Sequence, residues 1–183
     1  MKKIGVVGLG NMGMGIAKNL IKNEFDTTGF DLRDSCLKEL KDSGGNVASS
    51  VEDIGKICDV VFIMVMNGNQ VNDVVTKLSP GLKDDGTIIV TATITPEEIR
   101  SAYKIAKKNN IKMIDSPVSG GLQGAHEGTL TLMSAADKNV FNNCKDILKS
   151  ISISIVYFIL GVIVFYISYY GAKKRGTLIN MGE

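Results

Sequence analysis

Residues 4–13 read Ile4-Gly5-Val6-Val7-Gly8-Leu9-Gly10-Asn11-Met12-Gly13, and residues 27–33 read Thr27-Thr28-Gly29-Phe30-Asp31-Leu32-Arg33. The first stretch is a short apolar run that enters a G-x-G-x-x-G turn. Met12, Ile16, Leu20 and Ile21 then fall on one face of a helix spanning 11–22. The hexapeptide alone is weak evidence. A strand before it, a helix after it and an acid about 20 residues on give it physical content. Gly8 permits the tight turn, Gly10 lets backbone approach a pyrophosphate, and Gly13 lets the helix pack close to the strand. Around them Leu9, Asn11 and Met12 supply the backbone amides of the turn and of the helix start, whose positive end suits phosphate. Asp31 ends the second apolar stretch, where its carboxylate can accept both hydroxyls of an adenosine ribose. That favours NAD. Arg33, two residues on, offers a cation for a 2′-phosphate and leaves NADP as the lesser alternative.

Outward from this turn the chain alternates short apolar runs with helical patterns, as a parallel sheet built from βαβ units does. Strands are expected over 4–7, 27–31, 60–66, 87–91, 112–114 and 129–133, and helices over 11–22, 34–42, 70–78, 95–109 and 137–149. Asp34 is read as a helix cap, Ser50 to Asp53 as a capping box, and Thr95-Pro96-Glu97-Glu98 as a strong helix start. Residues 115–128 are glycine-rich and read as irregular. The expected fold class is α/β: a Rossmann-type, doubly wound, mostly parallel sheet.

The bulk numbers agree. The 183 residues are 44% hydrophobic and 22% charged, a globular composition with room for one sizeable core. A net charge of +2 provides no field for nucleic acid. One histidine, His126, and three scattered cysteines leave no metal-ligand set. The cysteines fit reduced thiols and a cytoplasmic setting. The glycines of 8–15 interrupt the first apolar run, so a secretory signal is not expected.

A second glycine turn, Ser119-Gly120-Gly121, offers a hydroxyl and two unhindered amides, a donor set suited to a carboxylate. With it the motifs become specific: Gly8 to Gly13, then Asp115-Ser116-Pro117-Val118-Ser119-Gly120-Gly121, then Gly128-Thr129-Leu130-Thr131-Leu132-Met133. Together they resemble the β-hydroxyacid dehydrogenase family, over residues 1–158. Phe30 to Arg33, Met64-Val65-Met66-Asn67 and Thr91-Ala92-Thr93-Ile94-Thr95-Pro96 are most similar to members that oxidise L-threonate. The resemblance implies NAD-dependent oxidation of a small hydroxy acid, of 3-hydroxyisobutyrate or L-threonate type. It implies that Ser119, Gly120 and Gly121 bind the substrate carboxylate, that Thr93 lies beside the nicotinamide, and that Met66 and Asn67 form the loop over the coenzyme. His126 falls at a variable loop position.

The carboxyl end departs from the pattern. The family carries a general acid/base lysine where this chain, in Gly176-Thr177-Leu178-Ile179-Asn180, has Asn180. Asparagine does not titrate, so it cannot move the proton that accompanies hydride transfer. The family's C-terminal helical domain, which closes the site and joins two subunits into a homodimer, is absent from these residues. The chain is therefore expected to hold coenzyme while being incomplete for catalysis, with a tail over 159–183; a non-catalytic NAD-binding module is the alternative. Residues 151–171 are uncharged, followed by Lys173, Lys174 and Arg175. Their length suits a membrane span, their β-branched and aromatic composition suits a strand, and an altered end with no evolved role is the third reading.

Overall fold

The first strand, β1 (Lys3–Val7), runs straight into the glycine turn and α1 (Asn11–Lys22). The computed structural model describes residues 2–152. After α1 come β2 (Asp26–Phe30), α2 (Asp34–Asp42), β3 (Asn46–Val47), α3 (Val51–Ile57), β4 (Val60–Ile63) and α4 (Gly68–Leu78). The second half adds β5 (Thr87–Val90), α5 (Pro96–Lys108), β6 (Lys112–Asp115), β7 (Val118–Ser119), α6 (Gly121–Glu127), β8 (Thr131–Leu132) and α7 (Lys138–Ser150).

Six strands form one parallel sheet in the order β3-β2-β1-β4-β5-β6, while β7 and β8 pair antiparallel beside it. This is the doubly wound order, with its reversal between β1 and β4. Register brings the strand ends level. Val7 pairs with Phe30 on one side and Ile63 on the other, and Ile63 pairs with Val90. The residues that follow these ends, Gly8, Asp31, Met64 and Thr91, therefore emerge along one edge of the sheet.

The inner strands are buried on both faces, so their sequences are continuous apolar runs. Val60 and Phe62 pack with α1 and α7 residues such as Ile16, Leu20 and Ile147. Val61 and Ile63 pack with α3, α4 and α5 through Ile54, Val75 and Ala102. Each fully buried aliphatic side chain contributes on the order of 1.5–3 kcal/mol. Thr95 caps α5 in a reciprocal box with Glu98, and Pro96 opens the helix. Ser50 caps α3 by accepting the Asp53 amide, but the expected box is not reciprocal, because the Asp53 carboxylate accepts from Ser49 Oγ and Lys56 Nζ instead.

Further expectations need correction. The strand expected over 60–66 ends at Ile63. Asp34 is the first helical residue of α2 and Arg33 is the capping position, with no side-chain cap. The helix expected from residue 70 starts at Gly68, because Asn67 caps it. Residues 115–128 hold β7 and α6 rather than an irregular loop. The tail, the boundary at 158, the stretch 151–171 beyond Ser152, and Asn180 lie outside the described residues. Among the described residues no helix is long and apolar enough to cross a membrane, and no group of His, Cys, Asp and Glu is placed to hold a metal.

Candidate coenzyme site

The turn between β1 and α1 has almost no room for side chains. Gly8 has φ +90°, and a Cβ there would collide with the Met64 carbonyl. A Cβ on Gly13 would collide with the Gly8 carbonyl, so α1 lies as close to β1 as backbone allows. Gly10 differs. Among the described residues, and leaving out its chain neighbours, the heavy atom within 4 Å of a Cβ there would be Arg33 Nη2, at 3.7 Å. Its bare backbone faces a cavity of about 690 Å³. The first bond of α1 runs from Met14 N–H to Gly10 C=O at 2.7 Å. The amides of Asn11, Met12 and Gly13 stand ahead of that bond, at the positive end of the helix.

Asp31 lines the same cavity beside the turn. One carboxylate oxygen accepts the Leu9 amide at 2.7 Å and Arg33 Nη2 at 3.0 Å; the other accepts the Arg33 amide at 3.0 Å and Arg33 Nε at 2.9 Å. Burial pushes this carboxyl up, but the Arg33 side chain, the Arg33 and Leu9 amides and the Arg33 charge outweigh it, so it titrates below the usual aspartate value. The Asp31 side chain is 9% exposed, that of Arg33 58%.

The cavity gathers Gly8, Gly10, Asn11, Asp31, Arg33 and Met66 from the expected set. Leu9 is buried beneath the turn and contributes through its amide. Asn67 contributes differently: its side chain accepts the Gln70 amide at 3.0 Å as the cap of α4. Gln70 in turn accepts the Met66 amide at 2.9 Å and so fixes the loop over the cavity. Leu32 is 91% exposed and Met66 86% exposed, and both line the cavity. Two large apolar side chains left outside the core at one cavity suit the flat apolar face of a ligand. Leu32 was missed in the sequence, although an apolar residue directly after a strand-end acid was the available signal.

Thr93, Ser119, Gly120 and Gly121 are exposed and do not line this cavity. Gly120 and Gly121 have φ of +126° and +62°, so the turn turns its amides in a way that side-chain-bearing residues rarely adopt. His126 is exposed on α6. Cys58 is buried and its thiol is pushed up to about 12, by burial first and by Asp59 next, which makes it unreactive. A second cavity, of about 460 Å³ at the β6 edge, contains none of the expected site residues.

These features fit a dinucleotide: bare backbone and free helix-end amides at Gly10, an acid at the end of β2, and apolar walls between them. Comparison with known proteins agrees. Residues 3–161 match the family described as the NAD binding domain of 6-phosphogluconate dehydrogenase. The L-threonate dehydrogenase of Cupriavidus necator is 30% identical over 154 residues, covering 82% of this chain and 52% of that protein. The mitochondrial 3-hydroxyisobutyrate dehydrogenase of Rattus norvegicus is 32% identical over 157 residues, 84% of this chain and 47% of the relative. A solved 3-hydroxyisobutyrate dehydrogenase of Mycobacterium tuberculosis, with L-serine, superposes with a TM-score of 0.81 at 27% identity, covering 83% of this chain and 52% of that one. The chain spans about half the length of the curated relatives it matches. It belongs to the β-hydroxyacid dehydrogenase family and carries that family's NAD-binding domain.

Proposed function

We propose that these 183 residues supply the NAD-holding half of a cytoplasmic hydroxyacid dehydrogenase acting on a small acid of 3-hydroxyisobutyrate or L-threonate type. The observation that carries this reading is the shared cavity of Gly10, the first residue of α1 and Asp31. The amides of Asn11, Met12 and Gly13 would hold the pyrophosphate, and Asp31 the adenosine ribose. Leu32 and Met66 would flank the adenine. When bound, NAD accepts the hydride from the carbinol carbon. Ser119 and the amides of Gly120 and Gly121 would hold the substrate carboxylate, with Thr93 towards the nicotinamide end.

The hydroxyl proton must leave as the hydride does. Asn180 stands where relatives have a lysine and cannot take that proton. Proton transfer by a placed side chain typically contributes about 10²–10⁴-fold. A half that excludes water and holds the substrate in line contributes further, and pairing of subunits belongs to that half as well. On their own, then, these residues bind coenzyme without appreciable turnover, and Asn180 is what favours a purely NAD-binding role as the second reading.

The test is NADH formation with L-threonate and with 3-hydroxyisobutyrate. It compares the 183-residue chain, its Asn180→Lys variant, and a chimaera joined to the C-terminal half of a relative with and without the lysine. Turnover is expected in the chimaera with lysine alone. Turnover by the unmodified 183 residues would show that another group carries the proton, and His126 would be the first to substitute. A chimaera inactive on both acids would contradict the substrate class.

A further inference from the structure

Asp31 has more partners than ribose recognition asks for. An ionised carboxylate offers about four lone-pair sites. All four have a protein donor here: the Leu9 amide and Arg33 Nη2 at one oxygen, the Arg33 amide and Arg33 Nε at the other. The two amides are backbone of the surrounding turns and fix the carboxylate in place. The remaining two donors belong to one guanidinium. They reach the two oxygens side by side, at 2.9 and 3.0 Å. A vicinal diol presents its two O–H groups to a carboxylate in the same manner.

We infer that Arg33 is a displaceable stand-in for the ribose diol: its guanidinium must leave Asp31 before the adenosine ribose docks, and once released it is the cation that meets a 2′-phosphate. The inference rests on the coenzyme reading above and adds a device that sets which coenzyme the site takes.

The two side chains are unequally held, as this requires. Asp31 is 9% exposed and anchored by backbone, whereas Arg33 is 58% exposed. The guanidinium end of the pair is open to water, which can solvate it on release, so displacing it costs less than breaking a fully buried pair. Nη2 lies over the bare face of Gly10, so the guanidinium also overhangs the pyrophosphate turn. With NAD, the two hydroxyls replace the two guanidinium N–H groups one for one, and Asp31 keeps four donors. With NADP, one of those hydroxyls is replaced by a phosphate that Asp31 repels and that the freed Arg33 can bind by two N–H groups. NAD should bind more tightly, and the affinity for NADP should be owed to Arg33.

The experiment is calorimetric titration of the 183-residue chain, Arg33→Ala and Arg33→Lys with NAD and with NADP. Arg33 caps α2 through backbone alone, so both variants keep the fold. Arg33→Ala should bind NAD about two- to fivefold more tightly, the value of an exposed ion pair no longer displaced. It should bind NADP at least about tenfold more weakly. Arg33→Lys should fall between for NADP, because an ammonium keeps the charge and loses the fork. Unchanged or weaker NAD binding by Arg33→Ala would overturn the stand-in, and undiminished NADP binding would overturn the phosphate role. Failure of the unmodified chain to bind NAD is a different result, and overturns the coenzyme reading itself.

Discussion

The Asn19 side chain of α1 donates to the Ala125 carbonyl of α6 at 2.7 Å and to the Gly15 carbonyl of its own helix at 2.9 Å. It also lies 3.2 Å from the His126 carbonyl. Ala125 and His126 stand in the last turn of α6, where carbonyls have no partner within the helix. Gly15 lets the two helices touch, since a Cβ there would lie 2.7 Å from the Ala125 backbone. The helix that would hold the pyrophosphate thus also holds the helix that follows the Ser119–Gly121 turn. Asn19 is 4% exposed, so removing its amide strands buried carbonyls. Asn19→Ala should lower stability by about 1–3 kcal/mol in urea unfolding. A change within about 0.5 kcal/mol would show that the α1–α6 contact stands on packing alone.

Gly13 tests the closeness of α1 to β1. Gly13→Val would drive its side chain into the Gly8 carbonyl, and the helix start would have to move from the turn. NAD affinity should fall at least about tenfold, as expected when aligned phosphate-binding amides are displaced. Calorimetry on folded protein, verified by circular dichroism, is the check. Retained affinity would mean that α1 does not hold the pyrophosphate.

Asp31 gives a pH signature. Its folded carboxyl titrates below the usual value of 3.8. The stabilisation it provides is therefore complete above the unfolded value and lost as pH falls through the folded one. Asp31→Asn should be less stable than the unmodified chain by about 1 kcal/mol near pH 7. That gap should hold above the unfolded value and close as pH falls through the folded one, which lies lower. Urea midpoints across this range measure it, and a gap independent of pH would contradict the ion pair.

Asn67 separates capping from coenzyme contact. Its side chain accepts the Gln70 amide, so Asn67→Ala should cost about 1 kcal/mol of stability and Asn67→Ser should restore most of it. Thermal unfolding of both variants decides this. Equal loss in both would mean that the capping bond contributes nothing.

The parallel core was legible because its strands are buried on both faces. The unbroken apolar run over 60–66 holds β4 at Val60–Ile63, and the strand expected over 87–91 is β5 at Thr87–Val90. The start of α5 was equally plain, since Thr95, Pro96 and Glu98 act locally. Two elements were not legible. The strand β3 is two exposed residues, Asn46 and Val47, whose pairing with β2 leaves no pattern in sequence. The helix α6 contains Gly124 within, Gly120 with positive φ just before it and Gly121 with positive φ at its first position, and its contacts with Gly15 and Asn19 lie more than a hundred residues away. In the site, the placement of Asp31 and Gly10 at one cavity followed from spacing. The Arg33–Asp31 pairing did not, because a side chain two residues on can point to solvent, ligand or neighbour with equal ease.

On the proposed reading, the turn from Gly8 to Gly13 and Asp31 together hold NAD. Isothermal titration of NAD into the unmodified 183-residue chain tests it most directly. Saturable binding at one NAD per chain is expected, weakened at least about tenfold in Gly13→Val. Absence of saturable binding to the folded chain, or the same affinity in Gly13→Val, would contradict it.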